Sequence, residues 1–179
     1  MPVRVNGLFR VLVLMCVVFL ICCKSETTTP TPIDYTGTWS GVQPGTDTTL
    51  GRGVIFTVDG KTVTSVSFST ENRFGTGVGA LPPGCHLAFE AVGPATISGD
   101  NFTVELKLSN TPVPDVSDLC VASAASFSVA PTLTCQLSGS SCTGQVNYSI
   151  DSAQCCNHTY VGVGPGFGTN TRTWTATKK

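Results

Sequence analysis

Charge is what this sequence has least of. Asp, Glu, Lys and Arg together make up 12% of its 179 residues, about half the usual share. The net charge is −1 at neutral pH, and no stretch gathers Lys or Arg into a stripe. Holding a phosphate backbone needs such a stripe, so no nucleic-acid partner is expected.

Histidine is scarcer still, with only His86 and His158. Each lies within three residues of a cysteine, Cys85 for the first and Cys155 and Cys156 for the second. A Cys/His metal site or a thiolate–imidazole pair would use such neighbours. An oxidising compartment removes the thiolate that both need, and no C-x-x-C pair is present. No metal and no cofactor are expected. The G-x-S-x-G nucleophile elbow is also missing. Glu90 and Glu105 are candidates for the paired carboxylates of glycoside hydrolysis. Glu105 falls on the polar face of an alternating strand, and Glu90 opposes the face of Leu87 and Phe89, so both read as solvated groups. Glycine recurs at alternate positions over residues 75–79 and 162–168, which is not the G-x-G-x-x-G spacing of a dinucleotide cradle. The residues therefore point away from an enzyme.

The N-terminus shows an export layout. Arg4 and Arg10 precede an unbroken apolar run over residues 11–23 (VLVLMCVVFLICC). That run suits a signal core and falls short of the roughly 20 residues a membrane-spanning helix needs. Its end, Leu20-Ile21-Cys22-Cys23, resembles a bacterial lipobox, which makes Cys23 the lipidated first residue of the mature chain. Ile21 is bulkier than the usual Ala or Ser, and Cys22 stands where Gly, Ala or Ser is usual. Ordinary cleavage near Ser25, giving a freely secreted product, is the alternative. Residues 24–34 (KSETTTPTPID) hold Thr, Pro and charge with almost nothing apolar, so they read as a flexible tether. The organisation expected is a signal over 1–22, a tether over 23–34 and one β domain over 35–179. The partner implied is a membrane, reached through the N-terminal lipid: a bacterial outer membrane, at its periplasmic face or the cell surface.

Leaving out Cys16, Cys22 and Cys23, six cysteines remain: Cys85, Cys120, Cys135, Cys142, Cys155 and Cys156. An even set in an exported chain reads as up to three disulfides, with 15 possible connectivities. Cys135 and Cys142 flank a turn-like SGSS and are the favoured pair. Adjacent Cys155 and Cys156 are expected to take separate partners, with Cys85 and Cys120 remaining.

Strand signals recur along the domain. Residues 35–42, 53–59, 61–70, 86–92, 102–108, 127–137, 142–150, 158–163 and 169–177 alternate or are β-branched, with turn signals such as Asp59-Gly60 between them. Val63 falls out of phase with Val66 and Phe68, which predicts a bulge near Thr64 and Ser65. Residues 119–125 could form one helical turn. The fold class expected is all-β: an antiparallel sandwich or barrel of about eight to ten short strands, stapled by disulfides.

The domain opens on GTWSG at 37–41 and closes on TWTAT at 173–177, with VTSVSF at 63–68 and ISGDNF at 97–102 between. In these pieces it resembles a group of uncharacterised exported bacterial β domains, often lipoproteins, that open GTWSG and close TWTATK. The resemblance implies compartment and fold and supplies no catalytic residue. The opening Gly37-Thr-Trp39 is also similar to the G-x-W of calycin barrels such as lipocalins and avidins. That resemblance implies that Trp39 plugs one barrel end with Arg172 set against it, around a chamber for a small apolar ligand. The leading expectation is a lipid-anchored, non-enzymatic β module with a structural or interaction role. The runner-up is the ligand-holding barrel, and a secreted hydrolase comes third.

Overall fold

The computed structural model describes residues 33–44, 52–72, 85–113, 119–161 and 167–179. They belong to one compact unit, Ile33–Lys179. The signal, Cys23 and most of the tether lie outside the described residues, as do the alternating glycines of 75–79 and 162–166.

Among the described residues there is no helix, and ten strands carry the fold. They are β1 (Gly37–Val42), β2 (Gly53–Asp59), β3 (Thr62–Asn72), β4 (Cys85–Ala91), β5 (Ala95–Thr96), β6 (Asn101–Ser109), β7 (Ala122–Ser138), β8 (Ser141–Cys155), β9 (His158–Val161) and β10 (Gly168–Lys178). Burial follows the period of two that writes them: on β6, Phe102, Val104 and Leu106 are buried, while Thr103, Glu105 and Lys107 are exposed.

Strand pairing decides between sandwich and barrel. Each of β1, β2, β3, β4, β6, β7 and β8 pairs antiparallel with the next, and β10 pairs with both β8 and β1. The ring closes over eight up-and-down strands, which removes the unpaired edges an open sheet would expose. β5 is a short addition on β3, and β9 continues the β10 side of β8 past Ile150. Gly60 and Gly139, both near φ +58°, turn the hairpins β2–β3 and β7–β8. Thr64 is the extra residue of a bulge, since Val58 faces Val63 and Thr57 faces Ser65.

Two expectations change. Residues 119–125 form no helical turn: β7 starts at Ala122 and pairs with the far end of β8. A helix there would leave the backbone groups of Gln154 and Cys155 without their ladder, so pairing overrides the local preference of an Ala/Ser run. The last-but-one strand is described over His158–Val161, and the final two residues of its expected span, 162 and 163, lie outside the described residues. β7 is also longer than expected, and several register shifts interrupt its first half. Pro131 sits in one of them, where no ladder donor is needed.

Aromatic rings fill the barrel in two groups. Near the start of β1, Trp39 stacks on Phe56 at 5.5 Å, and Phe56 meets Phe102 at 5.4 Å and Trp174 at 6.0 Å. Further along, Phe89 meets Tyr148 at 5.6 Å, Phe127 at 6.0 Å and Phe68 at 6.4 Å. Phe56, Phe68, Leu87, Phe89, Leu133 and Val146 are 0% exposed, so no water-sized space touches them. An eight-stranded barrel is just wide enough for its own side chains or one small ligand; here side chains occupy that width. Gly144 makes room for the Trp174 indole, because a Cβ there would lie 2.2 Å from its ring.

Candidate functional site

The inward positions change character along the strands. On β3 they run Val66, Phe68, Thr70, Asn72; on β10 they run Trp174, Arg172, Asn170. The polar members meet at the end of the barrel where β3 and β8 finish and β4, β7 and β10 begin. Asn72, fully buried, accepts hydrogen bonds through Oδ1 from Arg172 Nη2 at 2.7 Å and from the Tyr148 hydroxyl at 3.3 Å. Arg172 Nη2 also reaches Asn170 Oδ1 at 3.5 Å. Gln43 Nε2 donates to the Ser69 carbonyl at 3.0 Å, and the Thr70 hydroxyl donates to Gln43 Oε1 at 3.2 Å. Arg52 and Glu71 form an ion pair.

Arg172 is the electrostatic feature of this end. Its bonded partners are carboxamides, and no carboxylate among the described residues pairs with it. Its buried Nε has no hydrogen-bond partner. Burial pushes the Tyr148 phenol above its usual range, and the nearby guanidinium partly offsets this. The arrangement can offer an anion a guanidinium and, if the hydrogen bonds rearrange, a phenol.

Trp39 is elsewhere. It faces Lys178 on β10, six positions from Arg172 and so on the order of 20 Å along the strand. Its indole N–H donates to the Tyr35 carbonyl at 3.0 Å, and its ring lies on Phe56. The Arg-on-Trp contact that the calycin resemblance implies is therefore not formed, because Trp39 on β1 faces the end of β10 while Arg172 lies in the middle of that strand.

Four of the cysteines gather at the polar end as well. Disulfides join Cys85 to Cys155 and Cys120 to Cys156, so the adjacent pair does take separate partners. Sγ of Cys120 also lies 3.2 Å from Sγ of Cys155, outside either bond. Cys156 and Asn157 form the β8–β9 turn at φ +49° and +63°. The expected Cys135–Cys142 bridge is absent, and both are buried thiols. By register, Cys135 faces Gly144 and Cys142 faces Leu137, so the two are diagonal rather than directly opposite neighbours. A hydrogen bond to Cys142, and then burial, push the Cys135 thiol up.

The remaining candidates are surface groups. Glu90 is paired with Lys107 at 3.0 Å, both well exposed, and Glu105 is exposed on β6. His158 is exposed beside Tyr160, and the buried His86 donates its backbone N–H to the Cys120 carbonyl at 2.8 Å. Sγ atoms of Cys120, Cys155 and Cys156 lie within 4.8 Å of one another, all engaged in the two disulfides.

A trough of about 550 Å³ crosses the outside of β6, β7, β8 and β10. Two outward rows wall it: Asn101, Gln136, Thr143 and Thr175 on one side, and Thr103, Thr134, Gln145 and Thr173 on the other. The row between them points inward and leaves its backbone as the floor. Every wall residue carries a hydroxyl or a carboxamide and none is charged.

Sequence reasoning missed Asn72, Tyr148, Gln43 and the trough. Asn72 had a usable signal, since it continues the inward phase of Val66 and Phe68 as a polar residue. The trough had none, because its walls come from four strands whose register only pairing reveals. Comparison with protein-family models, with curated proteins and with solved structures finds no match.

Proposed function

We propose that this chain is an exported, lipid-anchored, non-enzymatic β module that binds a partner on the outside of a filled barrel. One observation carries the reading: side chains pack the barrel interior, while two rows of uncharged hydroxyl and carboxamide side chains wall the trough outside. Hydroxyls and carboxamides both donate and accept, so the trough suits a neutral, hydroxyl-rich chain crossing four strands, roughly 14 Å. Affinity electrophoresis through gels containing neutral polysaccharides tests this. The mature protein is expected to be retarded by at least one neutral polysaccharide, and Thr134→Arg/Gln145→Glu, which puts charge into the trough, is expected to migrate freely. Equal migration of both proteins in every gel rejects the trough as the binding face. Intact mass of the mature protein tests the anchor; an unmodified N-terminus beyond Cys23 rejects it.

Arg172 favours a second reading, in which the polar end takes a small anion with an apolar body. Titration with dodecanoate, followed by Trp39 and Trp174 fluorescence, distinguishes the two. Saturable binding in the micromolar range that Arg172→Gln abolishes supports the second reading. Its absence leaves the outer face as the working surface.

A further inference from the structure

Four cysteines occupy one small volume at the polar end, yet their exposure differs. Cys85 and Cys155 are buried at 4% and 1%, Cys120 is half-buried and Cys156 is exposed. Cys156 is also held at φ +49°, a left-handed conformation that residues with side chains seldom adopt. The exposed cysteine thus belongs to a turn held in an unfavourable backbone shape. Behind it, Cys120 Sγ sits 3.2 Å from Cys155 Sγ, to which it is not bonded.

We propose that these four residues are a thiol–disulfide exchange site that a small external thiol operates through Cys156. The thiolate attacks Cys156 Sγ, the accessible one, to form a mixed disulfide, and the Cys120–Cys156 bond breaks with its electron pair on Cys120. The Cys120 thiolate then attacks Cys155 Sγ beside it. The Cys120–Cys155 bond forms, the Cys85–Cys155 bond breaks, and Cys85 leaves as a thiolate that takes the proton the external thiol gave up. One thiol enters and one is released, with no net oxidation or reduction. The cross-link moves from the start of β4 to the segment leading into β7. Cys85, which pairs with Asn72 across β3 and β4, loses its tether. The polar end of the barrel is thereby loosened by a chemical signal, whatever the module binds.

The test uses the full mature chain. In Cys156→Ser, Cys120 is a free thiol from the outset. After folding, acid quench, alkylation and peptide mapping, the Cys120–Cys155 link is expected at an abundance within about tenfold of Cys85–Cys155, with Cys85 alkylated in matching amount. Cys85–Cys155 alone, with Cys120 as the alkylated partner, overturns the proposal. Cys85→Ser approaches the same bond from the other side: Cys156 is expected to become the alkylated thiol in place of Cys155, and a persistent Cys155 thiol overturns the proposal. Wild-type protein treated with glutathione covers the case in which either variant fails to fold. The expected products are a glutathione adduct on Cys156 together with an alkylated Cys85; an adduct with Cys85 still bonded to Cys155 is the contrary result.

Discussion

The two ends of the barrel hold themselves together by different means. Where β1 begins, Trp39, Phe56, Phe102 and Trp174 interlock, and the Tyr35 hydroxyl donates to Asp100 at 2.7 Å beside them. Where β3 and β8 finish, the inward positions are Asn72, Thr70, Tyr148 and Arg172, and two disulfides cross the rim. A buried aromatic ring stabilises by roughly 1.5–3 kcal/mol, whereas a neutral hydrogen bond nets only about 1. The β1 end therefore rests mainly on packing, whereas the polar end, where Tyr148 also packs against Phe89 and Phe127, adds hydrogen bonds and two covalent bridges. The polar end is also the one with a guanidinium that no described carboxylate pairs and with the disulfide of the exposed Cys156.

Removing packing from the aromatic end should have the largest effect. Phe56 contacts both tryptophans and Phe102. Phe56→Ala should cost about 3–5 kcal/mol in urea unfolding, enough to unfold a marginal domain. A loss near 1 kcal/mol would show that the two ends are not energetically distinct.

Next comes the covalent support of the polar end. Cys120→Ser/Cys156→Ser opens a loop with a sequence separation of 36, which the chain-entropy relation puts at about 3–4 kcal/mol. Amide exchange should locate the loss. Protection should fall for β9 and the early part of β7 while Phe56 and Trp174 keep theirs. Uniform loss of protection would mean that the bridges hold the barrel as a whole.

This contrast between ends was only half legible in the sequence. Alternation in residues 53–59 and 102–108 gave the strands and their inward faces, because a period of two is a local property. The bulge at Thr64 was legible for the same reason, since Val63 breaks phase. Barrel closure was not legible, because it depends on β10 reaching β1 from the far end of the chain. The separate partners of Cys155 and Cys156 followed from adjacency, but the thiols of Cys135 and Cys142 did not: flanking a turn says nothing about being diagonal across it. Trp39 and Arg172 were both named, and only register along β10 shows that they cannot meet.

A smaller effect is expected from Arg172→Gln. It loses a charge-assisted hydrogen bond to Asn72, worth about 1.5–3 kcal/mol, and it also relieves a partly buried cation that no carboxylate among the described residues neutralises. These oppose, so stability should stay within about 1 kcal/mol of wild type. A loss well above that would assign Arg172 to holding the barrel shut and remove the case for an anion at this end.

The smallest and most selective difference should appear in the tyrosines. Tyr35 is raised above its usual range by its hydrogen bond to Asp100, then by burial and by the carboxylate charge. Tyr148 is raised by burial, against a lowering contribution from Arg172. In both cases the folded chain keeps a phenolic proton where the unfolded chain has lost it. Stability is therefore complete below the usual tyrosine range, about pH 10, and declines as pH rises through the folded-state values. Tyrosinate absorbance can read the two ends separately because the partners differ in sign. Asp100→Asn removes a raising influence and should bring ionisation of Tyr35 to lower pH. Arg172→Gln removes a lowering one and should move Tyr148 to higher pH. Shifts in the same direction would mean that a common change in barrel packing, rather than the partner at each end, sets these phenols. Opposite shifts would show that each end keeps its own electrostatics, as expected if one end is a packed plug and the other a polar mouth with a charge to spare.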